Sequence, residues 1–184
     1  YINLLFFPNG MNLRTLLNEF RGYNKDDSKV LAAYKFAAEV HKTHKRASGE
    51  PFIQHPLNVA YILAQLRKDA NTIIAALLHD TVEESDTTIG NIKSSFGEEV
   101  AMMVDGVTKL TEIKVKNIEE SEAENIRKML MASTRDIRVI IIKLADKLHN
   151  MRTLNYLTKE QQERICKETL NVYAPLAYRL GMAS

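Results

Sequence analysis

The predicted fold class depends most on the segment DIRVIIIKLADKLHNMRTL, residues 136–154. Its β-branched run over residues 139–142 is compatible with a strand, but nineteen residues without a glycine or proline are too long for a typical strand. We therefore predict a buried helix that is apolar nearly all round. With this segment helical, the predicted fold class is all-α.

Helical periodicity continues along the rest of the chain, where apolar residues recur at spacings of three and four. The predicted helices cover residues 27–44, 55–66, 71–84, 87–96, 98–108, 125–133 and 159–173. The polar, strongly charged segment 111–124 is expected to be a loop or a frayed helix, and Pro175 interrupts the last helix. Because no repeat or domain boundary is evident, we expect one domain of about eight to ten helices.

Composition excludes several classes of protein. The 184 residues carry 25 Lys plus Arg against 23 Asp plus Glu, so the net charge of +2 does not suit a nucleic-acid-coating protein. One cysteine excludes an internal disulfide and suits the cytoplasm, and no apolar run is long enough to span a membrane. Residues 1–10 are expected to be an extension or tag remnant, and residues 11–184 the folded domain.

The segment LLHDTVEE, residues 77–84, is the first candidate site. On a helix, His79, Asp80, Glu83 and Glu84 would fall within an arc of about 140°. Imidazole and carboxylate side chains next to each other can bind one divalent metal ion. The alternative is a helix end that emerges into solvent, where a polar last turn is common.

A second candidate is Asp146, which follows the apolar run VIIIKLA and is therefore expected in the core. A buried carboxylate needs a partner or a metal ion. The alternative to a metal is an ion pair with Lys143 or Lys147. Spacings of four, three and one place three further residues on the same helix face: Asn150, Thr153 and Leu154.

The third candidate is His55, at the start of a predicted helix. A lone histidine at this position is more often a capping residue than a metal ligand. The loop before it carries Lys45, Arg46 and Ser48. Such a loop is usually a solvated surface, but beside a metal ion its guanidinium would bind phosphate. His41 and His44 are assigned no role.

Taken together, these segments resemble a known enzyme family. The blocks that carry the resemblance are HKRASGEPFIQHP (44–56), LLHDTVEE (77–84), VTKL (107–110), IIIKLADKLHNMRTL (140–154) and YAPLAYRLG (173–181). They are similar, in the same order, to the hydrolase domain of the RelA/SpoT alarmone enzymes, within the HD superfamily of metal-dependent phosphohydrolases. The resemblance implies hydrolysis of (p)ppGpp at the 3′ position, which yields GDP or GTP and pyrophosphate.

The resemblance also implies roles for individual residues. Those that match the family's Mn²⁺ ligands are His55, His79, Asp80 and Asp146. Glu83 and Glu84 match its acidic pair beside the attacking water. Arg46 matches a residue that lines the guanine nucleotide, and Lys45 would offset substrate charge. Further positions that match the substrate pocket are Ser48, Asn150, Thr153 and Leu154.

The sequence departs from the family pattern at three places. The second acidic residue is usually Asp and is Glu84 here, Ala47 stands where Lys is frequent, and Tyr178 stands where His or Asn is frequent. Because all four metal positions are intact, we expect an active (p)ppGpp 3′-pyrophosphohydrolase. From the composition, we expect it to be cytoplasmic, without membrane or direct nucleic-acid partners. It would be a stand-alone enzyme or the amino-terminal part of one with a carboxy-terminal synthetase domain. The alternatives are hydrolysis of another phosphorylated nucleotide such as NADPH, and a non-catalytic alarmone sensor.

Overall fold

The computed structural model describes residues 11–112 and 136–182, and the regular elements in these ranges are helical. The α-helices are α1 (Leu13–Arg21), α2 (Ser28–Val40), α3 (Gln54–Gln65), α4 (Ala70–Leu78), α5 (Ile89–Phe96), α6 (Glu98–Glu112), α7 (Arg138–Arg152), α8 (Lys159–Glu168) and α9 (Ala174–Arg179). A 3₁₀ turn covers Leu154–Tyr156, and a π-helical segment covers Thr169–Tyr173. The all-α prediction is confirmed. The expectations for residues 1–10, 113–124 and 125–133 lie outside the described residues.

The described residues form two compact units that divide between Asp105 and Gly106, inside α6. In the first unit α4 is buried continuously from Thr72 to Leu78, and both α2 and α3 pack against it. A helix that is apolar on every side is stable only when other elements surround it. Burial of α4 therefore fixes the position of the residues that follow Leu78.

Side-chain caps define where several helices begin. Asp69 accepts a hydrogen bond from the backbone N–H of Thr72 at 3.1 Å and so starts α4. Thr88 and Thr158 each form a capping box, with Asn91 and Gln161 three residues later. Such caps satisfy backbone donors that have no partner inside the helix.

Helix α4 ends six residues earlier than the predicted helix 71–84. The hydroxyl of Thr81 donates to the carbonyl of Leu78 at 2.6 Å, and the hydroxyl of Ser85 donates to the carbonyl of Thr81 at 2.6 Å. Serine and threonine hydroxyls that bond to nearby carbonyls compete with regular helical hydrogen bonds. The segment HDTVEE therefore lies in successive turns beyond α4, and the predicted helical arc is wrong.

In the second unit, α7 is shorter and less apolar than predicted. It spans Arg138–Arg152, and its buried residues follow a stripe: Val139, Ile140, Ile142, Lys143, Ala145, Asp146 and His149. Leu148 on the other side is 39% exposed. The predicted helix is confirmed, but its apolar-all-round burial is wrong, because three of the buried positions are polar.

The π-helical segment joins α8 to α9 where the sequence predicted an interruption at Pro175. Proline has no N–H and crowds the carbonyl four residues before it, so a regular α-helical ladder cannot continue through it. The π segment Thr169–Tyr173 ends two positions before this proline and buries Val172 and Tyr173. The chain thus passes the proline with a local change of helix type rather than a break.

Gly106 marks a close approach between α6 and α7. A β-carbon at this position would lie 2.8 Å from Cγ2 and 3.1 Å from Cγ1 of Val139. Valine is stiff at χ1, so its methyl groups cannot move aside easily. We predict that Gly106→Ala lowers the free energy of unfolding by about 1–3 kcal/mol, measured by urea denaturation.

Gly90 in α5 is the matched control, because a β-carbon there would meet only the Thr88 hydroxyl at 3.5 Å. Gly90→Ala is expected to stabilise the protein by up to about 1 kcal/mol, since alanine favours helix over glycine. Equal effects of the two substitutions would contradict the packing argument.

Candidate metal centre

His79 caps the carboxyl end of α4 and is 1% exposed. Its Nδ1 lies 2.8 Å from the carbonyl oxygen of Ala76, which can only accept. Nδ1 therefore carries the proton, and in the neutral ring Nε2 presents a bare lone pair. That Nε2 is buried and forms no hydrogen bond among the described residues. A hydrogen bond of this kind on the far nitrogen is typical of metal-binding histidines.

Asp80 and His55 converge on this nitrogen. Nε2 of His79 lies 3.1 Å from Oδ1 of Asp80, and Nε2 of His55 lies 3.5 Å from Oδ2 of the same carboxylate. The two imidazole rings are 5.3 Å apart. One aspartate thus faces two buried histidines, one with each oxygen.

These three residues fit a divalent metal ion. One ligand atom from each lies within 4.8 Å of the other two. Ligands that share an ion at about 2.0–2.2 Å are separated by about 3–4 Å. With Nδ1 donating to Ala76, a neutral His79 ring cannot also donate to Asp80, so a cation between them would satisfy both acceptors at once. The predicted convergence of His55, His79 and Asp80 is therefore present in the structure.

Two alternatives from the sequence are wrong. His55 is not a cap, because it is the second residue of α3 and Ile53 occupies the capping position. The segment after α4 does not simply emerge into solvent, because His79 is buried and the Asp80 side chain is only 18% exposed. After α4, the chain first becomes exposed to solvent at Glu83.

The acidic pair Glu83 and Glu84 is exposed and lies in the turns that follow the cluster. The backbone N–H of Glu84 donates to the carbonyl of Asp80 at 3.0 Å, which folds this residue back by one turn. The two carboxylates are thus close to Asp80 along the chain and accessible to water. This placement is compatible with the role that the sequence predicts for them.

The basic loop before α3 is a small hairpin. Lys45 and Pro51 form an isolated antiparallel bridge, and the backbone N–H of Arg46 donates to the carbonyl of Glu50 at 3.0 Å. Gly49 turns the hairpin with a φ of +84°, which favours glycine. The hairpin is therefore ordered by its own hydrogen bonds.

Side chains of this hairpin divide into exposed and packed ones. Lys45 is exposed. Arg46 is half-buried, and its Cζ lies 5.9 Å from the ring centroid of Phe52. The Ser48 hydroxyl lies 3.3 Å from the Glu50 carboxylate, to which it donates. Of the predicted substrate residues, Arg46 is thus the one with a defined packing partner in this loop.

His41 is a buried residue of this region to which the sequence assigned no role. It is 1% exposed, its Nδ1 lies 3.5 Å from Nδ1 of His44, and its ring packs 4.6 Å from that of Phe52. Burial lowers the pKa of His41 to about 4, although Asp80 opposes the shift. His41 is therefore neutral at physiological pH and adds no positive charge beside the cluster. Its position in the apolar stripe of residues 27–44 was the sequence signal that could have indicated its burial.

Asp146 lies in the second unit and is buried on α7. Its Oδ2 pairs with Nζ of Lys143 at 2.8 Å, and its Oδ1 accepts from Nδ2 of Asn150 at 2.6 Å. Nζ of Lys143 also donates to the hydroxyl of Thr111 at 2.9 Å. The ion-pair alternative is therefore present with Lys143, whereas Lys147 pairs with Glu168. The role of Asp146 as a fourth metal ligand stays a prediction.

The remaining predicted substrate residues lie at the end of α7. Asn150 is in the last turn, Thr153 is the residue that ends the helix, and Leu154 starts the 3₁₀ turn. The Thr153 hydroxyl donates to the carbonyls of His149 and Asn150, both at 3.2 Å. The prediction that all of them share one face of a continuous helix is wrong, because α7 ends at Arg152.

Comparison with known proteins agrees with these observations. A family model described as an HD domain matches residues 33–183. The guanosine-3′,5′-bis(diphosphate) 3′-pyrophosphohydrolase of Aquifex aeolicus is 51% identical over 88% of this chain and 23% of that protein. The bifunctional (p)ppGpp synthase/hydrolase SpoT of Escherichia coli K12 is 50% identical over 82% of this chain and 21% of that protein. A GTP pyrophosphokinase of Streptomyces coelicolor is 53% identical, with 18% of its length covered.

The chain thus spans about a fifth of the length of the curated relatives it matches. A solved structure, described as a metazoan ortholog of SpoT that hydrolyzes ppGpp, superposes with a TM-score of 0.63 at 25% identity, over 86% of this chain and 98% of that one. No helix among the described residues is long and apolar enough to cross a membrane. The chain belongs to the HD-domain family, and within it to the RelA/SpoT-type hydrolase domains that its sequence resembles.

Proposed function

We propose that this chain hydrolyses the 3′-pyrophosphate of ppGpp or pppGpp to give GDP or GTP and pyrophosphate. The observation that carries the proposal is the convergence of two buried histidine nitrogens on the two oxygens of Asp80. Relatives at about 50% identity are named for this reaction. The cytoplasmic location expected from the sequence, and a synthetase domain elsewhere in a longer chain, stay predictions.

The ion that we propose is Mn²⁺, held by His55, His79 and Asp80, with Asp146 as the predicted fourth ligand. Mixed imidazole and carboxylate donors suit Mn²⁺ as well as Fe²⁺ and Zn²⁺, so the choice rests on the family resemblance. When bound, such an ion lowers the pKa of water and neutralises charge on a phosphoryl oxygen. The protein's part is to hold the three donors in place, which the Ala76 carbonyl does for His79.

Glu83 and Glu84 would accept the proton of the attacking water on a carboxylate oxygen. Both are exposed in the turns that follow Asp80, so the carboxylate can pass that proton to solvent. The water oxygen forms a bond to the phosphorus, the bond between that phosphorus and the ribose 3′ oxygen breaks, and the 3′ oxygen takes up a proton from solvent. Lys45 and Arg46 would offset the charge of the pyrophosphate. Further substrate contacts are proposed for Ser48, Asn150, Thr153 and Leu154.

The direct test is release of pyrophosphate from ppGpp with and without Mn²⁺, with ATP and NADPH as comparison substrates. We expect turnover of ppGpp that requires Mn²⁺ and is abolished by Asp80→Asn, because the amide loses the charge that both histidines face. The matched control is Asp86→Asn, which changes an exposed aspartate beyond the acidic pair and should leave turnover unchanged.

Three results would contradict the proposal. Wild-type protein that binds ppGpp without turnover would be an alarmone sensor. Faster turnover of NADPH than of ppGpp would assign the site to another nucleotide. Asp80→Asn with full Mn²⁺-dependent activity would remove the cluster from the reaction.

Arg46 is predicted to act on substrate binding rather than on the fold. Arg46→Ala removes a cation–π contact of about 0.5–1 kcal/mol and the charge that would face phosphate. We expect a KM for ppGpp at least tenfold higher, with kcat within about threefold and the unfolding free energy within about 1 kcal/mol. The control is Lys42→Ala, since Lys42 pairs with Glu39 on the surface. A stability loss above 2 kcal/mol with unchanged KM would show that Arg46 is structural.

Glu84 is the least family-like residue of the site, with a side chain about 1.5 Å longer than Asp. A misplacement of about 1 Å can lower a rate on the order of 100-fold. Because Glu84 is exposed and can bend back through its extra rotamer, we expect Glu84→Asp to retain kcat within about threefold and Glu84→Gln to lose activity. The measurement is kcat at saturating Mn²⁺. If Glu84→Gln retains the wild-type kcat, the Glu84 carboxylate is not needed, and Glu83 alone accepts the proton.

A further inference from the structure

Phe52 lies between Arg46 of the basic hairpin and His55 of the candidate metal site. Its ring centroid is 6.4 Å from that of His55, at an interplanar angle of 71°, and 5.9 Å from Cζ of Arg46. The ring of His55 in turn lies 5.3 Å from that of His79. A continuous series of ring contacts therefore runs from the guanidinium of the hairpin to the nitrogen ligands of the cluster.

The other neighbours of Phe52 hold its ring in place. His41 packs 4.6 Å away at 34°, and His44 lies 6.3 Å away at 79°. The backbone N–H of Phe52 donates to the carbonyl of His44 at 3.0 Å, which closes the hairpin at its base. Because burial keeps His41 neutral, this support adds no charge that would repel Arg46. The ring of Phe52 is thus fixed from both its backbone and its side chain.

We propose that Phe52 is a positioning residue that holds Arg46 and His55 in a fixed relation, so that substrate binding and metal binding both depend on its ring. The inference rests on the proposed function, since it assigns a substrate role to Arg46 and a metal role to His55. An aromatic ring is suited to this task because its face attracts a cation while its edge-on contacts orient a second ring. Tyrosine keeps both properties, whereas leucine keeps only the apolar volume.

The test compares Phe52→Leu with Phe36→Leu. Phe36 is half-buried in the same unit and makes a similar edge-on contact, 5.6 Å from Phe96 at 85°, away from the hairpin residues. Two quantities are measured: the Mn²⁺ dissociation constant without nucleotide, from the EPR signal of free Mn²⁺, and the KM for ppGpp at saturating Mn²⁺. Thermal denaturation of each variant reports the loss of packing that the two share.

We expect Phe52→Leu to raise both the Mn²⁺ dissociation constant and the KM by about three- to tenfold, the range for one or two lost aromatic contacts. The kcat of Phe52→Leu, measured at saturating Mn²⁺ and saturating ppGpp, should change less than twofold. Phe52→Tyr should restore both constants to within twofold of wild type. Phe36→Leu should lower the melting temperature by a similar amount and leave both constants unchanged. If Phe52→Leu does not fold, Phe52→Met carries the same expectations with an unbranched side chain.

A double-mutant cycle separates positioning from simple packing. If Phe52 acts on KM through Arg46, the effects of Arg46→Ala and Phe52→Leu on KM will not add. The inference is overturned if Phe52→Leu leaves both constants at wild-type values, if Phe36→Leu shifts them equally, or if the cycle is additive. The proposed function fails separately, when the wild-type protein itself shows no Mn²⁺-dependent turnover of ppGpp.

Discussion

One hydrogen bond sets the chemistry of the first unit: Nδ1 of His79 donates to the carbonyl of Ala76 at 2.8 Å. The acceptor is a carbonyl in the last turn of α4, where backbone oxygens have no partner within the helix. By holding the proton on Nδ1, it leaves Nε2 as a lone pair directed at Asp80, 3.1 Å away. The fold therefore holds the ring in the tautomer that a metal ion would require, and this would lower the cost of binding.

This arrangement depends on where α4 ends. The helix is buried along its length by α2 and α3, so its last turn cannot shift without disturbing the core. Beyond α4, the Thr81 hydroxyl donates to the carbonyl of Leu78 and the Ser85 hydroxyl donates to the carbonyl of Thr81, and the chain continues in turns. The packed helices α3 and α4 both contribute to the site, because α3 carries His55, whose Nε2 faces the carboxylate of Asp80. Side chains anchored on or directly beside packed helices hold their geometry better than side chains on loops.

The second unit shows a different solution for a buried carboxylate. Asp146 is surrounded by a cationic partner, Lys143, and by the amide of Asn150, and both of its oxygens are engaged. A buried charge is tolerated only when it is paired in this way. The structure thus explains why three polar residues interrupt the apolar stripe of α7. The ion pair and a metal role are compatible, because a carboxylate oxygen has more than one lone pair.

The sequence could predict the helices and the chemistry of the residues, but not the local geometry that joins them. Periodicity located α2, α3 and α7 within a few residues, and the family resemblance singled out residues 55, 79 and 80, whose side chains converge in the structure. The end of α4 was missed because Thr81 and Ser85 are compatible with both helix and turn. The division inside α6 carries no composition signal. His41 was overlooked because a histidine in an apolar stripe does not reveal whether it is buried beside a charge.

In the proposed site, His55, His79 and Asp80 bind one divalent ion. Anomalous diffraction at the manganese absorption edge, from crystals of the protein grown with Mn²⁺, tests this directly. We expect one strong peak about 2.0–2.3 Å from Nε2 of His55, Nε2 of His79 and a carboxylate oxygen of Asp80. A peak elsewhere with none among these three residues, or Nε2 of His79 donating to Asp80 in a metal-free cluster, would contradict it.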